Sequence, residues 1–269
     1  MEQHGINPRK NVIAIIPARY NSTRLAGKLL LPIDGKPLIL HTLEQTKKAR
    51  NVSRVIVATD EEKILNVILK NGYEAVMTSP HHKSGSDRIA EVAEILPEDS
   101  IILNVQGDEP LISPNTIEAA VEAMLQDNAA DIITTCEKVE NINDVLSPDV
   151  VKVVTDKNGF ALYFSRSPIP FPREAVKKHG TLETALQNDS SLISQYRKHT
   201  GIYVYRREFL LKYTKEKQTS LEKTEMLEQL RALENGARIK VLEVSESSIG
   251  VDTQEDYEKV KKVLEAQKN

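Results

Sequence analysis

Cysteine is nearly absent from this chain: Cys136 is the only one among 269 residues. A single thiol excludes an intramolecular disulfide framework and a multi-cysteine zinc site, and it fits a reducing compartment. Long apolar runs are lacking as well. None approaches the roughly 20 residues that cross a bilayer, and the leader MEQHGINPRK has no apolar signal region, so a cytoplasmic protein without membrane association is expected. There is no excess of positive charge. With 36 Lys+Arg against 39 Asp+Glu the net charge is −3, which offers nucleic acid no general attraction and makes basic clusters local sites. Two familiar phosphate motifs are missing too. Gly27-Lys28 is followed by Leu29 without the earlier glycine of G-x-x-x-x-G-K-[ST], and G-x-G-x-x-G occurs nowhere; neither a Walker ATPase nor a dinucleotide dehydrogenase is supported.

What is present is a chain that is 40% hydrophobic, enough for a substantial core. Strand-like segments at 12–16, 54–59, 74–77, 100–105 and 131–136 alternate with helix-like segments at 37–49, 61–70, 87–95 and 114–125. That alternation predicts an α/β class with a predominantly parallel sheet. Thr59-x-x-Glu62 and Ser113-Pro114 read as helix starts. From Val150 the texture changes, and strands at 150–155 and 161–165 around Asn158-Gly159 predict an antiparallel insertion. A polar leader over 1–11 and a single domain over 12–269 are expected, with 156–220 as an insertion for substrate binding and dimerisation. Thr219-x-x-Glu222 predicts a helix through EMLEQLRALENG that Gly236 ends, before a strand at 238–244 and a helix after Thr253.

The segment VIAIIPARYNSTRLAGK carries the sharpest chemical signal. Val12–Ile16 reads as a strand covered on both faces, and Pro17 predicts its end. Arg19, Arg24 and Lys28 follow among small residues, a cation cluster suited to polyphosphate, with a solvated surface loop as the plain alternative. Asp108, in NVQGDEP, should lie beyond the carboxyl end of a strand, where open α/β sheets bind ligands and where a carboxylate suits Mg²⁺. Asp252, in SIGVDTQED, is the second candidate, although Thr253-x-x-Asp256 equally reads as a helix cap. Ser84 and Arg88 in KSGSDR form a possible anion-contacting loop, with Ser84-x-x-Asp87 again matching a cap. Arg166, His199, Tyr203, Glu228 and Gln229 offer the donors and charges of a polar, carboxylated-substrate pocket, or an ordinary strand edge and solvated helix face. Cys136 reads as a packed strand residue.

Taken together, IIPARYNSTRLAGK, VATD, SGSDR, NVQGDEP, ALYFSR, HTGIYVY, EMLEQLRALENG and GVDTQED resemble the 3-deoxy-manno-octulosonate cytidylyltransferases, in family order from Val12 to the end. Ala26 stands where proline is common and Ser86 where threonine is common. The resemblance implies a Rossmann-like nucleotide-diphospho-sugar transferase fold and transfer of CMP from CTP to the anomeric hydroxyl of 3-deoxy-D-manno-octulosonate (Kdo). It implies that Arg19, Arg24 and Lys28 grip the triphosphate. The loop around Ala18, with Ser84, Arg88 and Gln106, would contact the nucleotide, and Gln106 the sugar as well. Asp108 and Asp252 would hold one Mg²⁺, with a second held largely by phosphates. Arg166, His199, Tyr203, Glu228 and Gln229 would bind the sugar, and the protein would be a homodimer. Transfer to 8-amino-Kdo or a nonulosonic acid is the nearer alternative; a non-catalytic sugar-nucleotide sensor is the alternative of another class.

Overall fold

The computed structural model describes residues 11–20, 25–246 and 248–266. The first half runs β1 (Val12–Ala18), β2 (Pro32–Ile33), β3 (Lys36–Pro37), α1 (Leu38–Lys48), β4 (Arg54–Thr59), α2 (Glu62–Lys70), β5 (Glu74–Met77), α3 (Gly85–Glu94), β6 (Ile101–Asn104) and α4 (Pro114–Gln126). The second runs β7 (Ile132–Lys138), α5 (Ile142–Leu146), β8 (Lys152–Thr155), β9 (Ala161–Ser165), α6 (Arg173–His179), α7 (Leu182–Asn188), β10 (Arg197–Arg206), α8 (Arg207–Tyr213), α9 (Ser220–Glu225), α10 (Gln229–Glu234), β11 (Ile239–Glu243) and α11 (Gln254–Ala266). Two compact units result. One takes the described residues up to Gln126, those of 202–214 and those after Glu246; the other takes 127–201 and 215–246.

In the first unit the strand order is β10-β6-β1-β4-β5. β1 is parallel to β4 and β6, while the second half of β10 runs antiparallel to β6 with Tyr203 opposite Asn104. Every residue of β1 is buried, as an unalternated apolar run requires when helices cover both faces of a sheet. β1 continues past Pro17, where the sequence predicted its end. The β6 ladder stops at Ile15 opposite Asn104, and Val105 N–H donates to Ile15 O (3.4 Å). Pro17 has the parity of Ile15, so its missing N–H falls on the side where the ladder is over. α2 also departs from expectation. Glu61, not Thr59, caps it by accepting from Lys63 N–H (3.2 Å), while Thr59 is the last residue of β4 and its hydroxyl accepts from Glu61 N–H (3.2 Å).

The second unit holds the expected antiparallel pair: β8 and β9 join through a turn in which Gly159 has φ +82° and Asp156 N–H donates to Phe160 O (2.8 Å). The unit begins at Asp127 rather than 156 and reaches on to Glu246, because β11 pairs with β7 in parallel from Ile239 opposite Ile132 to Glu243 opposite Cys136. The single helix predicted through EMLEQLRALENG is two. Met226 takes a left-handed conformation (φ 54°) between α9 and α10, and the carbonyl of Glu225 accepts a hydrogen bond from Arg166 Nε (2.8 Å) instead of continuing a helix.

Candidate active site

β1 delivers the buried Ala18 and then Arg19 to the carboxyl edge of the first unit's sheet. Arg19 Nη1 donates to the carbonyl of Lys83 (3.2 Å), just ahead of α3, while its Nη2 is buried without a hydrogen-bond partner. A buried guanidinium edge without a partner is costly and suits an anion. Arg24 lies outside the described residues. Gly27 (φ +65°) closes the loop by donating to Tyr20 O (3.4 Å), and Lys28, only 8% exposed, opens a 3-10 turn over Lys28–Leu30.

The loop after β6 lies against the end of β1. A Cβ on Gly107 would meet Pro17 O at 3.2 Å, and Thr42 on α1 donates its hydroxyl to Gly107 O (3.0 Å). Asp108 follows, and its carbonyl accepts from Val251 N–H (2.9 Å), which stitches the loop before α11 to the loop after β6. The helix cap foreseen at that point forms between Thr253 and Asp256 and does not engage the Asp252 side chain. Asp256 accepts from Thr253 N–H (3.0 Å), and Thr253 Oγ1 from Asp256 N–H (3.2 Å). The Asp252 carboxylate instead meets Lys28. Lys28 Nζ bridges Asp108 Oδ2 (2.5 Å) and Asp252 Oδ1 (2.8 Å). Burial works to lower the pKa of this ammonium, but the two carboxylates outweigh it and the net shift is upward, so Lys28 stays charged. Three chain-distant segments thus converge on one cation position within one unit.

Other residues of the nucleotide set are placed as braces. Ser84 caps α3, accepting from Asp87 N–H (3.1 Å) in a complete capping box. Arg88 is fully enclosed, donating to Asp60 Oδ2 (2.7 Å) and Thr78 Oγ1 (2.5 Å). Gln106 Nε2 donates to Asn104 Oδ1 (3.2 Å), and since Tyr203 lies opposite Asn104, Gln106 and Tyr203 share the carboxyl end of β6.

Four of the five sugar candidates belong to the second unit. β8 places Lys152 opposite Ser165 of β9 and Lys198 of β10, which brings Arg166 and His199, one residue beyond each, to the same stretch. Arg166 donates through Nε to Glu225 O and through Nη1 to Pro148 O (2.9 Å), just ahead of Glu228 and Gln229 where α10 starts. His199 shares a hydrogen bond with Thr134 Oγ1 (2.8 Å) and packs edge-on to Phe164. Burial pushes its imidazole down to about 3, which makes it a neutral hydrogen-bonding group rather than a base near pH 7. Cys136 is buried, and burial, then the charge of Glu243, pushes its thiol up to about 11. That is a packed, unreactive thiol. Sequence reasoning missed Thr42, Lys83, Lys152 and Glu225; each shares a bond between a side chain and a main-chain group with a partner 14 to 65 positions away, Gly107, Arg19, Arg166 and Arg166 respectively, and so leaves no local pattern.

Residues 13–239 match the cytidylyltransferase family. Over 250 residues the chain is 53% identical to the 3-deoxy-manno-octulosonate cytidylyltransferase of Trichlorobacter lovleyi, covering 93% of this chain and 97% of that one. A solved structure of CMP:2-keto-3-deoxy-manno-octonic acid synthetase complexed with CTP aligns with a TM-score of 0.84 at 40% identity, over 96% of this chain and 100% of the other. The 4-diphosphocytidyl-2C-methyl-D-erythritolsynthase of Anaerococcus prevotii, at 15% identity and TM-score 0.60 over 96% and 99%, shares the fold alone. The architecture is the Rossmann-like one of nucleotidyltransferases, a mostly parallel sheet with added antiparallel strands. The chain belongs to the cytidylyltransferase family, among the 3-deoxy-manno-octulosonate cytidylyltransferases.

Proposed function

We propose that this enzyme transfers CMP from CTP to the anomeric hydroxyl of Kdo, giving CMP-Kdo and pyrophosphate and activating Kdo for lipopolysaccharide synthesis. The observation that carries the reading is the convergence of Asp108 and Asp252 on a single cation, Lys28 Nζ. Two hard oxygen donors aimed at one point fit Mg²⁺. No group of three His, Cys, Asp or Glu side chains gathers among the described residues, which leaves further coordination to water and substrate oxygens, as Mg²⁺ prefers. Asp108 and Asp252 would hold one such ion, and a second would be held chiefly by the triphosphate. When bound, the metal lowers the pKa of the attacking hydroxyl and offsets phosphate charge.

The protein's own groups do the rest. Arg19, with its buried unpartnered Nη2, and Lys28 neutralise the triphosphate and the departing pyrophosphate. Gln106 and Tyr203 line the carboxyl end of β6, and Arg166 takes the sugar carboxylate through its free guanidinium edge. His199, held neutral, binds hydroxyls. An anionic sugar and an anionic nucleotide must be brought in line, so positioning and charge compensation matter more than a covalent nucleophile. A cytoplasmic homodimer is part of the same proposal. Among the described residues no helix is long and apolar enough to cross a membrane.

The test is pyrophosphate release with CTP and Mg²⁺ against Kdo, 8-amino-Kdo and N-acetylneuraminate. The highest kcat/KM is expected with Kdo. Preference for either other acid would reassign the sugar, and no release with any of them would favour the non-catalytic sensor.

A further inference from the structure

Lys152 is completely buried and takes no part in the chemistry described above. Its Nζ donates to three main-chain carbonyls, those of Ser147 (2.8 Å), Val150 (2.6 Å) and Arg166 (2.6 Å). Three such contacts match the three N–H donors of an ammonium. Two of the carbonyls bracket the turn over 147–150, and that turn also offers Pro148 O to Arg166 Nη1. From the other side, the Glu225 carboxylate accepts from Ser165 Oγ (2.6 Å) and from Arg166 N–H (2.9 Å), and the Glu225 carbonyl accepts from Arg166 Nε. The main chain at Arg166 is therefore held by a carboxylate at its N–H and by an ammonium at its C=O. Its guanidinium has Nε and one N–H of Nη1 engaged. The second N–H of Nη1 and both of Nη2 remain, which is the end-on fork that a carboxylate accepts in bidentate fashion.

We propose that Lys152 is a positioning residue for the acid sugar: by gathering the carbonyls of Ser147, Val150 and Arg166, opposite Glu225, it fixes the direction of the Arg166 fork and so sets affinity for the sugar carboxylate without touching it. The inference rests on Arg166 being the sugar-carboxylate ligand, as proposed above. A knot that merely stabilised the second unit would change the melting temperature and leave substrate affinities alone.

The experiment compares R166A, K152M, E225Q and the double variants R166A/K152M and R166A/E225Q by steady-state kinetics, with CTP affinity measured by calorimetry and Tm by differential scanning. R166A and K152M should each raise KM for Kdo by about tenfold or more, the scale of a hydrogen bond to a charged group, and E225Q by less. CTP affinity should stay within about twofold, and each double variant should be no worse than R166A, because residues acting through one group are not additive. A K152M protein with lowered Tm but unchanged KM for Kdo, or a double variant whose effects simply add, overturns the positioning role. Unchanged KM in R166A is a different result and overturns the assignment of Arg166 itself. If K152M does not fold, K152R, which keeps the charge but not the ammonium's three-donor geometry, and R166A/K152R decide the question by the same additivity criterion.

Discussion

Lys28 sits where the proposed metal would be held. Its ammonium lies 2.5 and 2.8 Å from two carboxylates that would otherwise repel each other. Removing that charge should leave the aspartate pair without a counter-ion and hungry for another cation. Lys28→Met is therefore expected to bind Mn²⁺ in the absence of nucleotide about tenfold more tightly than the wild type, while turnover collapses for want of a triphosphate contact. Titration followed by electron paramagnetic resonance reads the first effect, and an unchanged affinity would mean that Lys28 does not occupy the cation position. Asp108→Ala should abolish turnover with the fold retained. These residues were legible because their types suit phosphate and Mg²⁺, yet only the structure separates Asp252, which reaches Lys28, from its neighbours Thr253 and Asp256, which cap the helix. His199 was legible as a polar residue but not as a neutral one. Its pKa falls from 6.5 to about 3 through burial, so below 6.5 an unfolded chain takes up a proton that the folded one refuses. Its contribution to stability is thus present above 6.5 and is lost progressively as pH falls toward about 3. His199→Gln should flatten the fall in Tm between about pH 7 and about pH 4, and equal slopes in the two proteins would refute this.

Most local signals were readable, the shift of the α2 cap from Thr59 to Glu61 excepted. The Ser113 hydroxyl accepts from Asn115 and Thr116 N–H, and the Ser84 and Thr253 boxes form as read, because each needs only residues within one helical turn. The other failures had tertiary causes. α9 and α10 separate because the groups of Glu225 are drawn to Ser165 and Arg166, some 60 positions earlier in the chain. The loop after β6 illustrates the same dependence. Gly107 looked like an ordinary loop glycine, yet its lack of a Cβ permits approach to Pro17 O, and Thr42 then holds its carbonyl. Gly107→Ala would press a methyl to 3.2 Å from that oxygen and displace the backbone by a few tenths of an ångström. Asp108 moves with it. A fall in kcat of about tenfold is expected, since small displacements of a catalytic group are expensive, with a stability loss of about 1 kcal/mol. Kinetics and denaturant melts on the same preparation separate the two, and undiminished kcat would show that the loop absorbs the methyl elsewhere.

At the scale of the whole chain, the α/β class followed from alternation, but the division into two units did not. β7 and β11 pair in parallel and read as a continuation of the preceding pattern, so nothing local marks Asp127 as a boundary. Oligomeric state is equally invisible to local patterns and has to be argued from surface. Leu162 and Phe171, within the 156–220 insertion expected to carry the dimer interface, are 62% and 60% exposed. Single exposed apolar residues are common on monomers, so the exposure alone decides nothing; symmetry makes it testable. In a twofold dimer each side chain is buried twice, so losing one phenylalanine at roughly 1.5–3 kcal/mol per copy removes about 3–6 kcal/mol from association, a factor of about 10² to 10⁴ in Kd. Phe171→Asp adds an unpaired charge to that loss. Wild-type protein at micromolar concentration should therefore scatter as a dimer and Phe171→Asp as a monomer with its Tm and CTP affinity retained. A wild type that scatters as a monomer removes the dimer from the proposal, and a variant that stays dimeric moves the interface away from Phe171.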